Sequence, residues 1–404
     1  MVYLVKNANV FDGSGSPLFA ADVEVDGKRI SALYPAGQGQ VTEQTIVIEA
    51  EGQTLMPGLV EGHAHLSWGS SVERIYHEFM LPEEELRAAT WRNARILLDH
   101  GFTSAYSAGA LGESLEVELA SQIEAGIVPG PRLIPSTIER SPAGEDSGNI
   151  FHGRGADSMR AFMKYCSRIG IKSVKLMLSG EDALEPGSSQ HILYTEEELA
   201  AAEEEAERAG LWIAAHAYTT EAIKLALKYG ARVIYHCSWA DEEALDLLEA
   251  AKDRIFYAPA LGVIVGTLEA TPPPHIDMSR MKAGAAEVLA LDSKLVPQLH
   301  KRGIRVLIGG DYGFPFNPNG RNARDLEHFV KYFGYSPSQA LVAATKFGGE
   351  IMNRGHELGM VKKNYLADLL LVKGDPTIDV EILQDKHNLT MIMKDGELYK
   401  SPLL

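Results

Sequence analysis

The sequence predicts an α/β chain whose bulk closes as a (β/α)8 TIM barrel, with a small β domain assembled from both chain ends. Three observations carry that expectation. Between about residues 52 and 348, short β-rich apolar runs alternate with longer helical patterns, as a parallel sheet with right-handed crossovers requires. The runs number eight, the count that closes a parallel barrel. Outside this region both ends of the chain alternate apolar and polar residues around turn dipeptides, the pattern of antiparallel strands.

Taken in order, residues 1–50 read as hairpins turning at Asp12-Gly13 and Asp26-Gly27. The barrel runs are 55–61, 102–108, 132–138, 173–178, 211–217, 232–238, 254–260 and 305–310. Amphipathic stretches separate them. In 195–209, Thr195 and Glu198 stand in capping-box spacing and Gly210 supplies the stop. Residues 262–303 exceed a simple crossover, and Thr271-Pro272-Pro273-Pro274 cannot be helical, so an excursion over the barrel mouth is expected before the helix, either a lid or a passive loop. Residues 366–373 and 389–399, turning at Asp395-Gly396, read as strands again. Neither terminal segment can bury its apolar face alone, so the two are expected to pair. The division that follows is 1–54 with 358–404 for the β domain and 55–357 for the barrel.

Composition excludes several classes. At 45% hydrophobic and 23% charged, the chain is neither disordered nor a coiled coil. A net charge of −17, with basic residues scattered, repels phosphate backbones and anionic lipid, so nucleic acid and membranes are not expected partners. Cys166 and Cys237 are too few for a disulfide framework and fit a reducing, cytoplasmic location. No secretion signal stands at the N-terminus and no apolar run approaches a membrane span. A small-molecule substrate is the expected partner, with homo-oligomerisation open.

The chemistry starts at His63-Ala64-His65, which closes the apolar run Leu55-Met56-Pro57-Gly58-Leu59-Val60-Glu61-Gly62. On a strand, residues two apart share a face, so both imidazoles can reach one ion. Spacing alone does not separate this from a coincidental pair, and further ligands must decide. Catalysis in such a barrel lies at the C-terminal strand ends. There the sequence places Lys175 in the fourth run, His216 in the fifth, His236 in the sixth and Asp311 after the eighth. A lone buried histidine is ordinarily a hydrogen-bonded core residue, but six such groups at one depth point to a cation, zinc foremost, with a position open for water. An ammonium beside divalent cations would be repelled and costly to bury. Burial favours its neutral amine, which can take up carbon dioxide and bridge two cations as a carbamate. A snorkelling side chain, or an anchor for a substrate carboxylate, are the alternatives for Lys175.

With these residues in view, the chain resembles the amidohydrolase superfamily of metal-dependent hydrolases, in its imidazolonepropionase-like branch with the Xaa-Pro dipeptidases. Beyond the His63 pair, the resemblance rests on Val174-Lys175-Leu176-Met177, His216-Ala217-Tyr218-Thr219, Ile234-Tyr235-His236, Gly309-Gly310-Asp311 and the closing Gly359-Met360 and Ala367-Asp368-Leu369-Leu370. It implies that the terminal β domain is a β-sandwich. It also implies two divalent cations, one on His63, His65 and Asp311 and a second on His216 and His236, bridged by carboxylated Lys175. In that scheme a hydroxide between the ions attacks a carbonyl while Asp311 passes the proton to the leaving nitrogen, which is amide hydrolysis of an N-acyl amino acid, dipeptide or cyclic amide. Tyr218 resembles the tyrosine some of these dipeptidases place near the tetrahedral centre or the substrate carboxylate. Two departures from the peptidase pattern are plain: Ser179-Gly180-Glu181-Asp182 stands in place of a Gly-Gly turn, and the segment Ser141-Pro142-Ala143-Gly144-Glu145-Asp146 lacks a histidine.

Substrate pockets in this fold come from loops. Trp68, Arg140, His152, Tyr218, Tyr312 and Arg321 are the candidate contacts, Trp68 for an apolar wall and Arg140, His152, Tyr312 and Arg321 for an anionic group. Two other readings compete: a mononuclear amidohydrolase or deaminase acting on a heterocycle or carbamate, with Lys175 unmodified, and a non-catalytic barrel kept as a scaffold.

Overall fold

A computed structural model describes residues 1–74, 81–142, 151–182 and 187–402. The 143–146 part of the loop named above lies outside the described residues. The strands are β1 Val2–Val10, β2 Phe19–Asp26, β3 Arg29–Pro35, β4 Thr45–Glu49, β5 Thr54–Pro57, β6 Leu59–Ala64, β7 Phe102–Ser107, β8 Arg132–Ile134, β9 Ser173–Met177, β10 Trp212–Thr219, β11 Ala231–Trp239, β12 Phe256–Ala258, β13 Leu369–Val372, β14 Leu389–Lys394 and β15 Glu397–Lys400.

The chain ends do pair, in one mixed sheet ordered β15-β14-β13-β5-β1-β2-β3, with β4 also on β1. β1 pairs with β4 over Val2–Lys6 and with β5 at Asn9 and Val10. Its register against β2 slips between Val5 and Ala8, around Asn7 at φ 56°. Such a bulge bends a strand, and the sheet folds over its own core of Val5, Val23, Ile48, Leu55, Leu369 and Met391. The expected sandwich is therefore a single hydrogen-bonded sheet, because β1 serves both halves. The turns at Asp26-Gly27 and Asp395-Gly396 join β2 to β3 and β14 to β15.

The apolar run 55–61 is two strands rather than one. β5 belongs to the terminal sheet and β6 to a parallel one, and the chain crosses at Gly58, where a Cβ would stand 2.2 Å from Thr103 Oγ1. Two parallel sheets carry the rest, β6-β7-β8 and β12-β11-β10-β9. β8 stops at Ile134 because Pro135 has no N–H to give. Beyond it, Arg140 bonds β9 through its N–H to Lys175 (3.0 Å) and its carbonyl to Met177 N–H (3.0 Å). The eighth run, 305–310, forms no strand, contrary to expectation. It makes single bridges instead: Leu307 N–H donates to Tyr257 (2.8 Å) on one side, and Gly62 N–H donates to Ile308 (3.2 Å) on the other. Gly309 and Gly310 in this run suit close approach, not a regular ladder.

Both faces of the parallel strands are apolar, as buried parallel sheets require. Val60, Ala214, Val233, Tyr235 and Leu307 form an inner cluster, and Leu176, Ile213, Ala215 and Ile234 pack outward against helical Leu199, Ile223 and Leu248. The helix Glu196–Ala209 has the expected capping box and left-handed Gly210. Within 262–303 the proline run is a loop, preceded by a helix Leu261–Glu269 that the sequence reading did not foresee and followed by the helix Ser279–Lys301. Arg132 ties the two layers together, reaching Asp368 at 2.8 Å and Asp395 at 2.6 Å. Both cysteines are buried and free, and no described helix is long and apolar enough to cross a membrane.

Candidate metal centre

His63 lies in β6 and His65 just beyond it, and both imidazoles turn to Asp311. Asp311 Oδ1 stands 3.0 Å from His65 Nε2 and 3.6 Å from His63 Nε2. One ligand atom from each of the three lies within 4.8 Å of the others, close to the span of about 4 Å that two bonds of about 2 Å to one cation cover. Proton placement favours the same conclusion. His65 Nδ1 is 2.9 Å from the Gly109 carbonyl, which can only accept, so Nδ1 carries a hydrogen and Nε2 is the nitrogen left to meet Asp311 through a proton or a cation. His63 is fully buried, yet neither ring nitrogen has a hydrogen-bond partner. Orphaned buried nitrogens facing a carboxylate are costly unless a cation or proton joins them.

A second pair stands beside the first. His216 in β10 and His236 in β11 have ring centroids 4.4 Å apart, and His236 is 5.8 Å from His63. His216 Nε2 lies 3.2 Å from the Gly180 carbonyl, which leaves its Nδ1 lone pair free. Burial, and then Lys175, push His216 down to about 3. Burial also holds His63 and His236 well below the ordinary histidine value, so all three are neutral ligands at neutral pH. Burial opposes protonation of His65 too, but Asp311 and Glu139 outweigh it and raise that residue. Lys175, third in β9 and buried, extends Nζ to 3.3 Å from the Ala108 carbonyl and 4.4 Å from the Tyr235 ring centre.

Tyr218 stacks on His236 at 4.6 Å, and its hydroxyl donates to Glu181 at 3.1 Å. Burial, then Glu181, keep the phenol well above its ordinary value, so it is a donor. Trp68 is buried beside His65, 6.2 Å between ring centres, and packs on Phe314. The remaining candidates are placed elsewhere. Arg140 points outward to the helix layer, 5.6 Å from the Phe162 ring centre and 5.4 Å from that of Tyr194, with a bond to Gly153. Tyr312 is buried and donates to Asp325. Arg321 is exposed and pairs with Glu269 at 3.9 Å, and His152 bonds the Ser141 carbonyl. The structure gives none of these four the free anion-facing position expected of it.

Three neighbours were missed. Glu139 reaches both Lys175 Nζ and His65 Nδ1 at 3.8 Å. Parity could have found it: if Arg140 points out, Glu139 points in. Glu181 stands 3.9 Å from His216. Tyr235 stacks on His63 at 3.9 Å even though its neighbour His236 also lines the site. Alternation forbids that pairing, but His236 and Cys237 take φ 76° and 61°, and the left-handed pair breaks the parity.

Comparison with known proteins agrees with this geometry. The pattern described as the Amidohydrolase family matches residues 54–399. The chain is 25% identical to ochratoxinase of Aspergillus niger over 99% of itself and 87% of that protein. It is 23% identical to imidazolonepropionase of Rubrobacter xylanophilus over 94% of itself and 90% of that protein. The crystal structure of a prolidase complexed with N-methylphosphonate-L-proline superposes with a TM-score of 0.85 at 24% identity, covering 99% of this chain and 100% of the other. The chain belongs to the Amidohydrolase family, whose members are metal-dependent, and is a hydrolase of C–N bonds.

Proposed function

We propose that the chain hydrolyses an amide bond in a small molecule, an N-acyl amino acid, a dipeptide or a cyclic amide, at a two-cation centre set in an eight-stave barrel (55–357) flanked by the terminal β domain (1–54 with 358–404). His63, His65 and Asp311 would hold one cation and His216 with His236 a second, with Lys175 between them as its carbamate. Zinc bound there would make a water more acidic and polarise the scissile carbonyl. Asp311 takes the proton of the attacking water and delivers it to the leaving nitrogen. Tyr218, kept protonated, would turn its single O–H from Glu181 to the oxygen that gains charge. Trp68 walls the cavity beside His65. A reducing, cytoplasmic location completes the reading, consistent with the two free cysteines.

The observation that carries this proposal is His65 Nε2 facing the Asp311 carboxylate across 3.0 Å, beside an orphaned His63 and a second neutral imidazole pair. The test is elemental analysis of purified protein together with turnover on N-acyl amino acids, dipeptides, carbamates and cyclic amides. About two ions per chain and release of a carboxylic acid and an amine are expected; a metal-free protein that takes up no zinc would refute it. One observation favours a second reading. Among the described residues, His63, His65 and Asp311 are the one histidine–carboxylate group that meets within 4.8 Å, and Glu181 places a carboxylate near His216, as a one-ion deaminase would need. One ion per chain, with ammonia released from an aminoheterocycle, would identify that enzyme instead.

A further inference from the structure

Asp311 has φ 59°, a conformation that a non-glycine residue holds only when its surroundings impose it. The imposing contacts come from the loop before the helix Arg324–Phe333 and from that helix's first turn. Asp325, buried there, accepts the Gly309 N–H on Oδ2 at 3.0 Å and the Tyr312 hydroxyl on Oδ1 at 3.0 Å. One carboxylate thus grips the chain before and after Asp311. His328 Nδ1 approaches the same Oδ1 at 3.3 Å. Asn317 completes the frame, donating from Nδ2 to the carbonyls of Gly310 at 2.9 Å and Asp311 at 3.1 Å. Gly310 makes the grip feasible, since a Cβ there would stand 2.4 Å from Asp325 Oδ1.

We propose that Asp325 is a positioning residue for Asp311: by fixing Gly309 and Tyr312 it sets the direction in which the Asp311 carboxylate faces His63 and His65. This rests on the reading of Asp311 as cation ligand and proton carrier. The role is geometric. Asp325→Ala removes the grip and leaves the Gly309 N–H buried without a partner. Asp325→Asn keeps most of it, because its remaining oxygen still accepts from Gly309 while its amide donates to the Tyr312 oxygen.

Zinc affinity is measured on the full chain by competition with a chelator, with zinc alone and no substrate, beside kcat, KM and the thermal melt. Asp325→Ala is expected to weaken zinc binding and lower kcat, each by about 10- to 100-fold, the scale of residues that orient a metal ligand. KM should stay within about threefold, and Asp325→Asn should recover most of both losses. Should Asp325→Ala fail to fold, Asn317→Ala is expected to move zinc affinity and kcat in the same direction. Wild-type zinc affinity and kcat in Asp325→Ala, or losses that only track the unfolded fraction, would overturn the proposal. A wild-type chain that binds zinc but cleaves no amide retires the hydrolytic reading alone, and the zinc comparison still decides the positioning role.

Discussion

The imidazole of His63 lies almost flat on the phenol of Tyr235, with ring centres 3.9 Å apart and planes 27° apart. The Tyr235 hydroxyl donates to the Gly62 carbonyl at 3.0 Å, and Lys175 Nζ lies 4.4 Å from the centre of the same ring. Tyr235→Phe is expected to cost about 1 kcal/mol through the lost hydrogen bond, with metal retained. Tyr235→Ala should cost about 3–5 kcal/mol and release the site's cation, because His63 loses the surface that orients it. Denaturant melts and zinc content check both; an Ala variant that keeps its full zinc complement would contradict the role.

Acid should weaken the metal-free fold through its histidines. Unfolded, His63, His216 and His236 take up protons near pH 6.5; folded, burial holds His63 and His236 well below that and His216 at about 3. Their contribution is therefore intact above about pH 6.5 and lost as pH falls below it, by about 1.4 kcal/mol per pH unit for each histidine. His65, raised in the fold, works the other way, and its stabilisation fades as pH rises. Buried Glu61 and Glu116, both pushed up to about 7, and buried Asp292, raised well above its ordinary value, also gain stability as pH falls, so the histidine contribution is read as a difference. Between pH 7 and pH 5 the melting temperature of chelator-treated His216→Asn, which lacks that titrating group, should fall less or rise more than that of wild type; identical pH dependence would contradict the direction assigned to His216.

Arg132 is the ionic tie between the parallel strands and the terminal sheet. Arg132→Met would leave the buried Asp368 carboxylate without its partner, and removing one member of such a pair costs about 3–5 kcal/mol. The denaturation midpoint should fall accordingly, while activity at low temperature persists, because the pair touches no residue of the metal centre. A midpoint unchanged from wild type would show the pair to be dispensable.

On the proposed two-cation reading, Lys175→Ala abolishes turnover and drops bound metal from about two ions per chain to one or fewer. Parallel elemental analysis and activity measurement on one preparation check this. A metal-replete, active variant would remove Lys175 from the chemistry.

Much of this architecture could be read from the residues alone, and the failures have physical causes. The convergence of His63, His65, His216, His236 and Asp311 was legible because each lies at the end of an apolar run, and neighbouring parallel strands deliver their C-terminal ends to one side. The terminal pairing was legible because neither end has enough apolar surface to stand alone. The eighth stave was overread as a strand, since an apolar run cannot reveal that two glycines and a left-handed Asp311 will break its ladder. Tyr235 stayed hidden behind the unannounced backbone reversal at His236, and Glu139 behind attention to its charged neighbour Arg140. Asp325 lies 16 residues beyond Gly309 and 13 beyond Tyr312, across an irregular loop, and no local pattern marks it.

The chain passes from the terminal sheet into β6 through Gly58 alone, and Gly58 N–H is itself bound to the Asp368 carbonyl at 2.8 Å, while β13 runs antiparallel to β5 from Leu369 opposite Pro57 to Val372 opposite Thr54. Shortening the protein at its C-terminus would therefore strip the neighbour from a strand that ends at Pro57, six residues upstream of His63. Anyone engineering a minimal catalyst from the parallel strands would have to replace that lost edge first, and tags or fusions are better placed after Lys400 than inserted before Leu369.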